Sequence, residues 1–131
     1  MEDFSSLAKK AFPFVKCGLE VGDGWHNILF SVFSAINNHL KHNQLPDFKI
    51  VQVKEKFADL RIYYEDGDDY ISGVVEVAEI MSSMTCERSG SPGKTRNIKG
   101  WYVTLSDSEY EKVLEERGYH ENKGKQTQGT I

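Results

Sequence analysis

The feature that most constrains the fold of this chain is the stretch at residues 48–65, FKIVQVKEKFADLRIYYE. In its second half, Leu60, Ile62 and Tyr64 alternate with other side chains, and a period of two is typical of a strand with one buried face. Its first half is rich in β-branched residues, which suit a pleated surface. We therefore predict an antiparallel β-hairpin whose strands are joined by a short polar turn at residues 54–56.

Helices are predicted on both sides of the hairpin, because apolar residues recur there at helical spacing. The first helix should run from about residue 25 to 42, and Asp23 is positioned to cap it. The second should run from about residue 68 to 84, with Asp68 or Asp69 as its cap. The predicted apolar face of this second helix consists of Ile71, Val74, Val75, Ala78 and Met81.

The C-terminal part of the chain begins with a polar segment at residues 85–100, which glycine and proline punctuate. A short strand is predicted at residues 101–105. Ser106 and Glu109 then fit a capping box, so a last helix should begin there and end at about residue 117. The predicted fold class is α+β: a helix, an antiparallel β-hairpin, a second helix, then a turn-and-strand segment and a C-terminal helix.

The length and composition of the chain indicate one domain in the cytoplasm. Its 131 residues suit a single domain, which we place at residues 1–119. Residues 120–131 have little apolar content and are predicted to be disordered. No apolar run is long enough for a membrane span, and the acidic start is unlike a secretory signal. Cys17 and Cys86 are predicted to be free thiols, as is typical of cytoplasmic proteins.

Four segments together carry a resemblance to a known family. They are VGDGW at 21–25, VQVKEKFADLRIYY at 51–64, AEIMSSMTCERSGSPG at 78–93 and GWYVTLSD at 100–107. Their order and spacing resemble a family of small, uncharacterised bacterial and phage proteins. The pattern of that family is GDGW, VVQVKEKFGxLRFY, AExxSxxTCExCGxPG and GWxxTLCD followed by x and Cys or His. The resemblance implies a zinc-ribbon-like subregion at residues 85–109.

The sequence departs from that family at three of the four positions where the zinc ligands would stand. Cys86 remains, but Ser89, Ser106 and Glu109 occupy the other positions. A structural zinc site needs four ligands such as thiolates and imidazoles, and a serine hydroxyl is not among them. We therefore predict a degenerate ribbon that packing holds together, with no metal site and no cofactor.

An enzyme is not predicted, because no recognisable catalytic frame surrounds the chemistry-bearing residues. Asp23, His26 and Cys86 are the candidates for a catalytic set, but Asp23 is explained more simply as a helix cap and His26 as a surface residue. His26, His39 and His42 lie on or beside the first helix. We interpret them as solvated side chains near helix ends rather than as metal ligands.

The leading functional hypothesis is a non-catalytic module that binds a protein partner. Its narrower form is a phage or mobile-element inhibitor of a host defence complex, which the resemblance suggests. The acidic balance of the chain, with a net charge of −4, suits a basic partner that handles nucleic acid. The predicted partner-binding residues, in two turns expected to lie on one side of the surface, are Lys54, Glu55, Lys56, Glu65, Asp66, Asp68 and Asp69.

The alternative hypothesis is a nucleic-acid-binding module that uses the basic ribbon loop. Cations can pair with phosphates there, and an aromatic ring can stack on a base. The predicted contact residues are Arg88, Lys94, Arg96, Lys99 and Trp101. A membrane partner is not expected, and the sequence leaves the oligomeric state open.

Overall fold

The structure, a computed structural model, describes residues 3–119 of the chain. The predicted disordered segment at residues 120–131 lies outside the described residues. Within them the fold is α+β, as the sequence predicted. The elements in chain order are α1 Phe4–Ala11, β1 Leu19–Glu20, a 3₁₀ turn Asp23–Trp25, α2 His26–Leu40, β2 Lys49–Lys56, β3 Asp59–Glu65, α3 Asp69–Ser82, β4 Lys94–Ile98, β5 Trp101–Leu105 and α4 Asp107–Glu116.

The larger sheet is three-stranded, with the order β1-β2-β3. The predicted hairpin is confirmed: β2 and β3 are antiparallel, and β1 adds to β2 in the parallel direction. The predicted buried face of β3 is confirmed at Leu60 and Ile62. In β2, Ile50 and Val53 are both buried although they lie three residues apart. The register shift between Ile50 and Gln52 explains how both can face the core.

The hairpin turn differs from the prediction. Lys54, Glu55 and Lys56 belong to β2, and the turn is formed by Phe57 and Ala58. Both turn residues have positive φ, 52° and 76°, as the favoured two-residue hairpin turns require. A non-glycine residue in this region costs about 1 kcal/mol or more. Two hydrogen bonds of 2.8 Å hold Ala58 there: its N–H donates to Glu55 Oε2, and its carbonyl accepts from the Thr104 hydroxyl.

The helix starts are confirmed in two places and wrong in one. Asp68 caps α3, accepting from the N–H of Ile71 at 3.1 Å, and Ser106 caps α4 by accepting from the N–H of Glu109 at 3.1 Å. Asp23 does not cap α2, because it lies in the 3₁₀ turn that precedes this helix. The chain enters α2 through that turn, so no side-chain cap is needed at the helix start.

The smaller sheet consists of β4 and β5, which pair antiparallel over a second core. That core contains Cys86, Ile98, Val103, Leu105 and Val113, the last from α4. Strand β5 was predicted, but β4 was not, because its KTRNI sequence has little apolar content. The strand forms because its backbone pairs with β5, and only its last residue, Ile98, is buried.

The VGDGW segment joins the two cores. The N–H of Gly24 donates to the carbonyl of Glu87 at 2.7 Å, and that of Gly22 donates to Glu87 Oε2 at 2.9 Å. The fully buried indole of Trp25 donates to the carbonyl of Thr85 at 2.9 Å. The two glycines allow this approach, since a Cβ on Gly24 would lie 2.2 Å from a backbone oxygen. The VGDGW segment therefore anchors the smaller core to the main core.

Candidate functional site

An open groove lies between α2 and α3. It has a volume of about 550 Å³. Its floor includes the buried side chains of Ile28 and Val32 from α2. Its rim carries three apolar side chains of α3 that remain largely exposed: Tyr70 at 47%, Val77 at 56% and Met81 at 45%. Large side chains of this kind usually lie in a core or an interface.

Gly73 keeps the middle of this groove open. It lies inside α3 and lines the groove, and a Cβ built on it meets no atom within 4 Å. Glycine in a helix interior costs roughly 0.5–1 kcal/mol relative to alanine. The packing of the fold therefore does not require glycine here, and its effect is to leave space between the rim side chains.

The two helices that form the groove contain few charged residues. From His26 to Leu40, α2 contains no aspartate, glutamate, lysine or arginine. Helix α3 contains Asp69, Glu76 and Glu79, with no lysine or arginine. A surface helix normally presents charged side chains to water, and depletion of charge is a mark of interface cores. The groove is therefore apolar, with Asp69 as the carboxylate among its described lining residues.

One end of the groove is held by contacts among His39, Asp68 and Tyr70. His39 Nε2 donates to Asp68 Oδ2 at 2.7 Å, and the His39 ring stacks on Tyr70 with 4.2 Å between ring centroids. The hydrogen bond from His39, followed by the N–H of Ile71, lowers the pKa of Asp68. The interpretation of His39 as a solvated side chain is therefore wrong, because the His39 ring bonds to Asp68 and fixes the position of the rim residue Tyr70.

The structure does not bring the predicted partner-binding turns together. Lys49 pairs with Glu65 at one end of the β2–β3 hairpin, and Lys56 pairs with Asp59 at the other. An eight-residue strand separates these ends by about 23 Å. Residues 54–56 and 65–69 therefore lie at opposite ends of the hairpin and do not form one continuous surface.

Several of these predicted residues have structural contacts. Glu55 Oε2 accepts a hydrogen bond from the N–H of Ala58 in the hairpin turn, and Asp68 caps α3. Glu65 Oε1 lies 3.4 Å from Lys49 Nζ. Asp69 is exposed and lines the groove. The side chains of Lys54, Lys56 and Asp66 have no hydrogen-bond or ion-pair partner among the described residues.

Two arginines of the predicted nucleic-acid surface pair with carboxylates of α4. Arg88 Nη1 lies 3.4 Å from Glu116, and Arg96 Nη2 donates to Asp107 at 2.7 Å. The Arg96 hydrogen bond, followed by the charge of Arg96, lowers the pKa of Asp107. These guanidinium groups are therefore partly neutralised within the fold.

The aromatic part of that surface is also covered. The Arg117 guanidinium lies 4.0 Å above the centre of the Trp101 ring, and Lys99 Nζ lies 4.9 Å from the centre of Tyr119. Lys94 is exposed at the start of β4. A base could stack on the covered face of Trp101 only after Arg117 moved away, so this face of Trp101 is not ready to stack on a base.

Hydrogen bonds connect the positions at which the family resemblance would place zinc ligands: Ser89 with Cys86, and Glu109 with Ser106. Cys86 is fully buried, and the N–H of Ser89 donates to its Sγ at 3.4 Å. Burial acts to raise the pKa of this thiol, but hydrogen bonds from Ser89 and the backbone of Ser106 outweigh burial and lower it. Across residues 3–119, no group of three or more histidine, cysteine or acidic side chains could hold a metal ion.

The described contacts do not bring the three candidate catalytic residues, Asp23, His26 and Cys86, into one hydrogen-bonded group. Asp23 Oδ1 lies 3.6 Å from His26 Nε2, while the His26 ring stacks on Phe4 with 3.8 Å between centroids. Within residues 3–119, no hydrogen bond links Cys86 to Asp23 or His26. These contacts place His26 between Asp23 and the Phe4 ring.

Comparisons with known proteins give this chain no relative. A scan against protein-family profiles, a search of curated proteins and a search of solved structures each found no match. The resemblance carried by the four motifs therefore stays a prediction. Among residues 3–119, no helix is both long enough and apolar enough to cross a membrane.

Sequence reasoning missed the groove, although two signals for it are present. Met81 was predicted to be buried but forms the exposed rim together with Tyr70 and Val77. These three residues are spaced seven and four apart, which places them on one face of a helix. The second signal is the uncharged sequence of residues 26–40, which is unusual for a helix at the surface.

Proposed function

We propose that this chain is a non-catalytic protein-binding module whose binding surface is the α2–α3 groove. The observation that carries the proposal is the exposed rim of Tyr70, Val77 and Met81 above an apolar floor. Tyrosine and methionine are enriched at protein interfaces, and lysine and glutamate are depleted. The groove has both properties, and it differs from the two turns that the sequence pointed to.

The groove is also prepared for binding with little rearrangement. Its floor is part of the main core, because the floor residues Ile28 and Val32 belong to the main cluster of buried side chains. Tyr70 is held by its stack on His39. A binding surface that is already ordered loses less conformational entropy when the partner arrives, which favours affinity.

The narrower form of the proposal is a phage or mobile-element inhibitor of a host defence complex. This form is supported by the motif resemblance, and the groove gives such an inhibitor a surface that needs no metal. The nucleic-acid alternative is less well supported, because Arg88 and Arg96 are paired with carboxylates and Trp101 is covered by Arg117.

The test is to compare partner capture by wild type and by a variant with a filled groove, Gly73→Leu. The new side chain enters open space, and leucine is favoured over glycine in a helix, so this variant should be at least as stable as wild type. The control is Phe57→Ala, which removes a 71% exposed apolar side chain at the hairpin tip.

Both variants and wild type are used as bait in bacterial lysate, and captured proteins are identified by mass spectrometry. We expect a protein that wild type and Phe57→Ala capture equally and that Gly73→Leu captures at least about tenfold less. Melting curves check that Gly73→Leu is folded. The proposal is wrong if a folded Gly73→Leu captures the same proteins in the same amounts as wild type.

A further inference from the structure

We infer that the occupant of the α2–α3 groove is an amphipathic helix of the partner protein, with an apolar face and lysine or arginine along one edge. This inference rests on the proposed function, because it names the kind of partner that the same groove would bind. Three features of the groove support it: the nature of its walls, its length and the position of its carboxylates.

The walls of the groove favour a helix over an extended segment. Both walls are α-helices, so their backbone N–H and carbonyl groups are already paired within each helix. An extended peptide binds by adding a strand to an unpaired sheet edge, and the groove offers no such edge. A helix needs no backbone partner and can place its side chains between those of Tyr70, Val77 and Met81.

The length of the groove sets the length of the occupant. The rim runs from Tyr70 to Met81 on α3, which corresponds to about 16 Å along the helix axis. About three turns of a docked helix would cover this distance, with apolar side chains at i, i+3 or i+4, and i+7. Gly73 leaves room near the middle of the rim for one large apolar side chain.

The charge of the occupant follows from the carboxylates of α3. Asp69 lines the groove next to the rim residue Tyr70. Glu76 lies seven residues further along the same edge of α3, beside the groove, where it lines a separate pocket together with Arg61. Neither Asp69 nor Glu76 has an ion-pair partner among the described residues. Glu79 differs, because its Oε2 accepts from the N–H of Ile62 at 3.1 Å. Cationic side chains along the matching edge of the occupant would complement Asp69 and Glu76.

A second copy of this chain fits the groove less well. A symmetric dimer would bring the same face of both copies together. That face carries Asp69 and Glu76 and no lysine or arginine on either helix. Like charges would then meet across the interface, which disfavours association.

The experiment uses the full chain and a synthetic 14-residue peptide. The peptide has leucine at helical spacing on one face and lysine on the remaining positions, and it is labelled for fluorescence anisotropy. One control peptide replaces every lysine by glutamate. A second control places proline at the centre, which breaks the helix while keeping the apolar and cationic side chains around it.

We expect the lysine peptide to bind wild type, and both control peptides to bind at least about tenfold more weakly. Gly73→Leu should weaken binding of the lysine peptide by a similar factor. A variant that combines Asp69→Lys with Glu76→Lys should bind the glutamate peptide more tightly than the lysine peptide. Methyl NMR signals of Met81 should shift on addition of the peptide to wild type.

Three results would overturn the inference: no binding of the lysine peptide, equal binding of the proline peptide, or a wild-type dimer that Gly73→Leu converts to a monomer. Either of the first two results leaves the proposed function intact if wild type still captures a protein from lysate that Gly73→Leu does not capture. If no captured protein depends on the groove, the proposed function fails together with this inference.

Discussion

Replacing Gly24 by alanine should uncouple the ribbon-like region from the main core. An ideal Cβ at this position lies 2.2 Å from the carbonyl oxygen of Cys86 and 2.6 Å from the backbone nitrogen of Gly90. Both are backbone atoms, so no flexible side chain can move aside. The backbone of Gly24 does not have positive φ, so the effect comes from the close approach alone.

The expected cost follows from the contacts that must shift. Forcing an extra carbon into a tightly packed site costs about 1–3 kcal/mol. Moving the segments apart also weakens the Gly24–Glu87 and Trp25–Thr85 hydrogen bonds, of 2.7 and 2.9 Å. Each such bond contributes about 0.5–1.5 kcal/mol. We expect the free energy of unfolding to fall by about 2–6 kcal/mol, a large part of the 5–15 kcal/mol typical of a domain.

The assay is urea unfolding of wild type and Gly24→Ala, followed by tryptophan fluorescence, since Trp25 is fully buried and reports on this junction. Gly73→Ala is the matched control: it makes the same chemical change, but its Cβ meets no atom within 4 Å. The control should be more stable than wild type by about 0.5–1 kcal/mol, because alanine is favoured over glycine in a helix.

Opposite signs for the two glycine substitutions are the essential outcome. If Gly24→Ala unfolds within about 0.5 kcal/mol of wild type, the close approach of the two segments is not tight in solution. If Gly73→Ala is destabilised as strongly as Gly24→Ala, the loss is a general effect of replacing glycine, and the argument from the junction fails.

Three further predictions concern the hairpin, the junction and the ribbon. Leu60→Asp should abolish cooperative thermal unfolding, because it buries an unpaired charge. Arg61→Asp should retain a clear unfolding transition. Equal melting temperatures for the two variants would show that the buried face is assigned wrongly. Burial raises the pKa of Glu87, so its ionised form is disfavoured in the folded state, and the contribution of this one group to the free energy of unfolding should fall as pH rises above about 4. Glu87→Gln should remove that slope in denaturation measured from pH 4 to 8, and an unchanged slope would contradict the reasoning. Purified protein should contain no stoichiometric zinc and should not unfold with a chelator, and elemental analysis showing about one zinc per chain would refute this.

The sequence predicted the elements whose signal is local. The alternation at Leu60 and Ile62 predicted the buried face of β3, and polar residues at helix starts predicted the caps at Asp68 and Ser106. These signals involve residues two to four positions apart, whose relation is fixed by strand or helix geometry alone. Such patterns can be read before the rest of the fold is known.

Interactions between distant segments were decided by the tertiary structure. Strand β1 is two residues long and carries no pattern of its own, and β4 is mostly polar, so each forms because a partner strand is available. His39 was interpreted as solvated because its partner Asp68 lies 29 positions away. The exposed rim at Met81 has the same helical spacing that a buried face would have, so periodicity cannot distinguish the two.

The VGDGW segment illustrates both sides of this division. The sequence predicted that a helix begins at the end of this segment, and α2 does begin at His26. Its main role is to hold distant parts of the chain together. The hydrogen bond from Gly22 to Glu87 spans 65 positions of the sequence, and the one from Trp25 to Thr85 spans 60. The sequence determined the local conformation, because that depends on neighbouring residues. Only the tertiary structure decided which backbone the glycines approach, because that depends on how the two cores pack together.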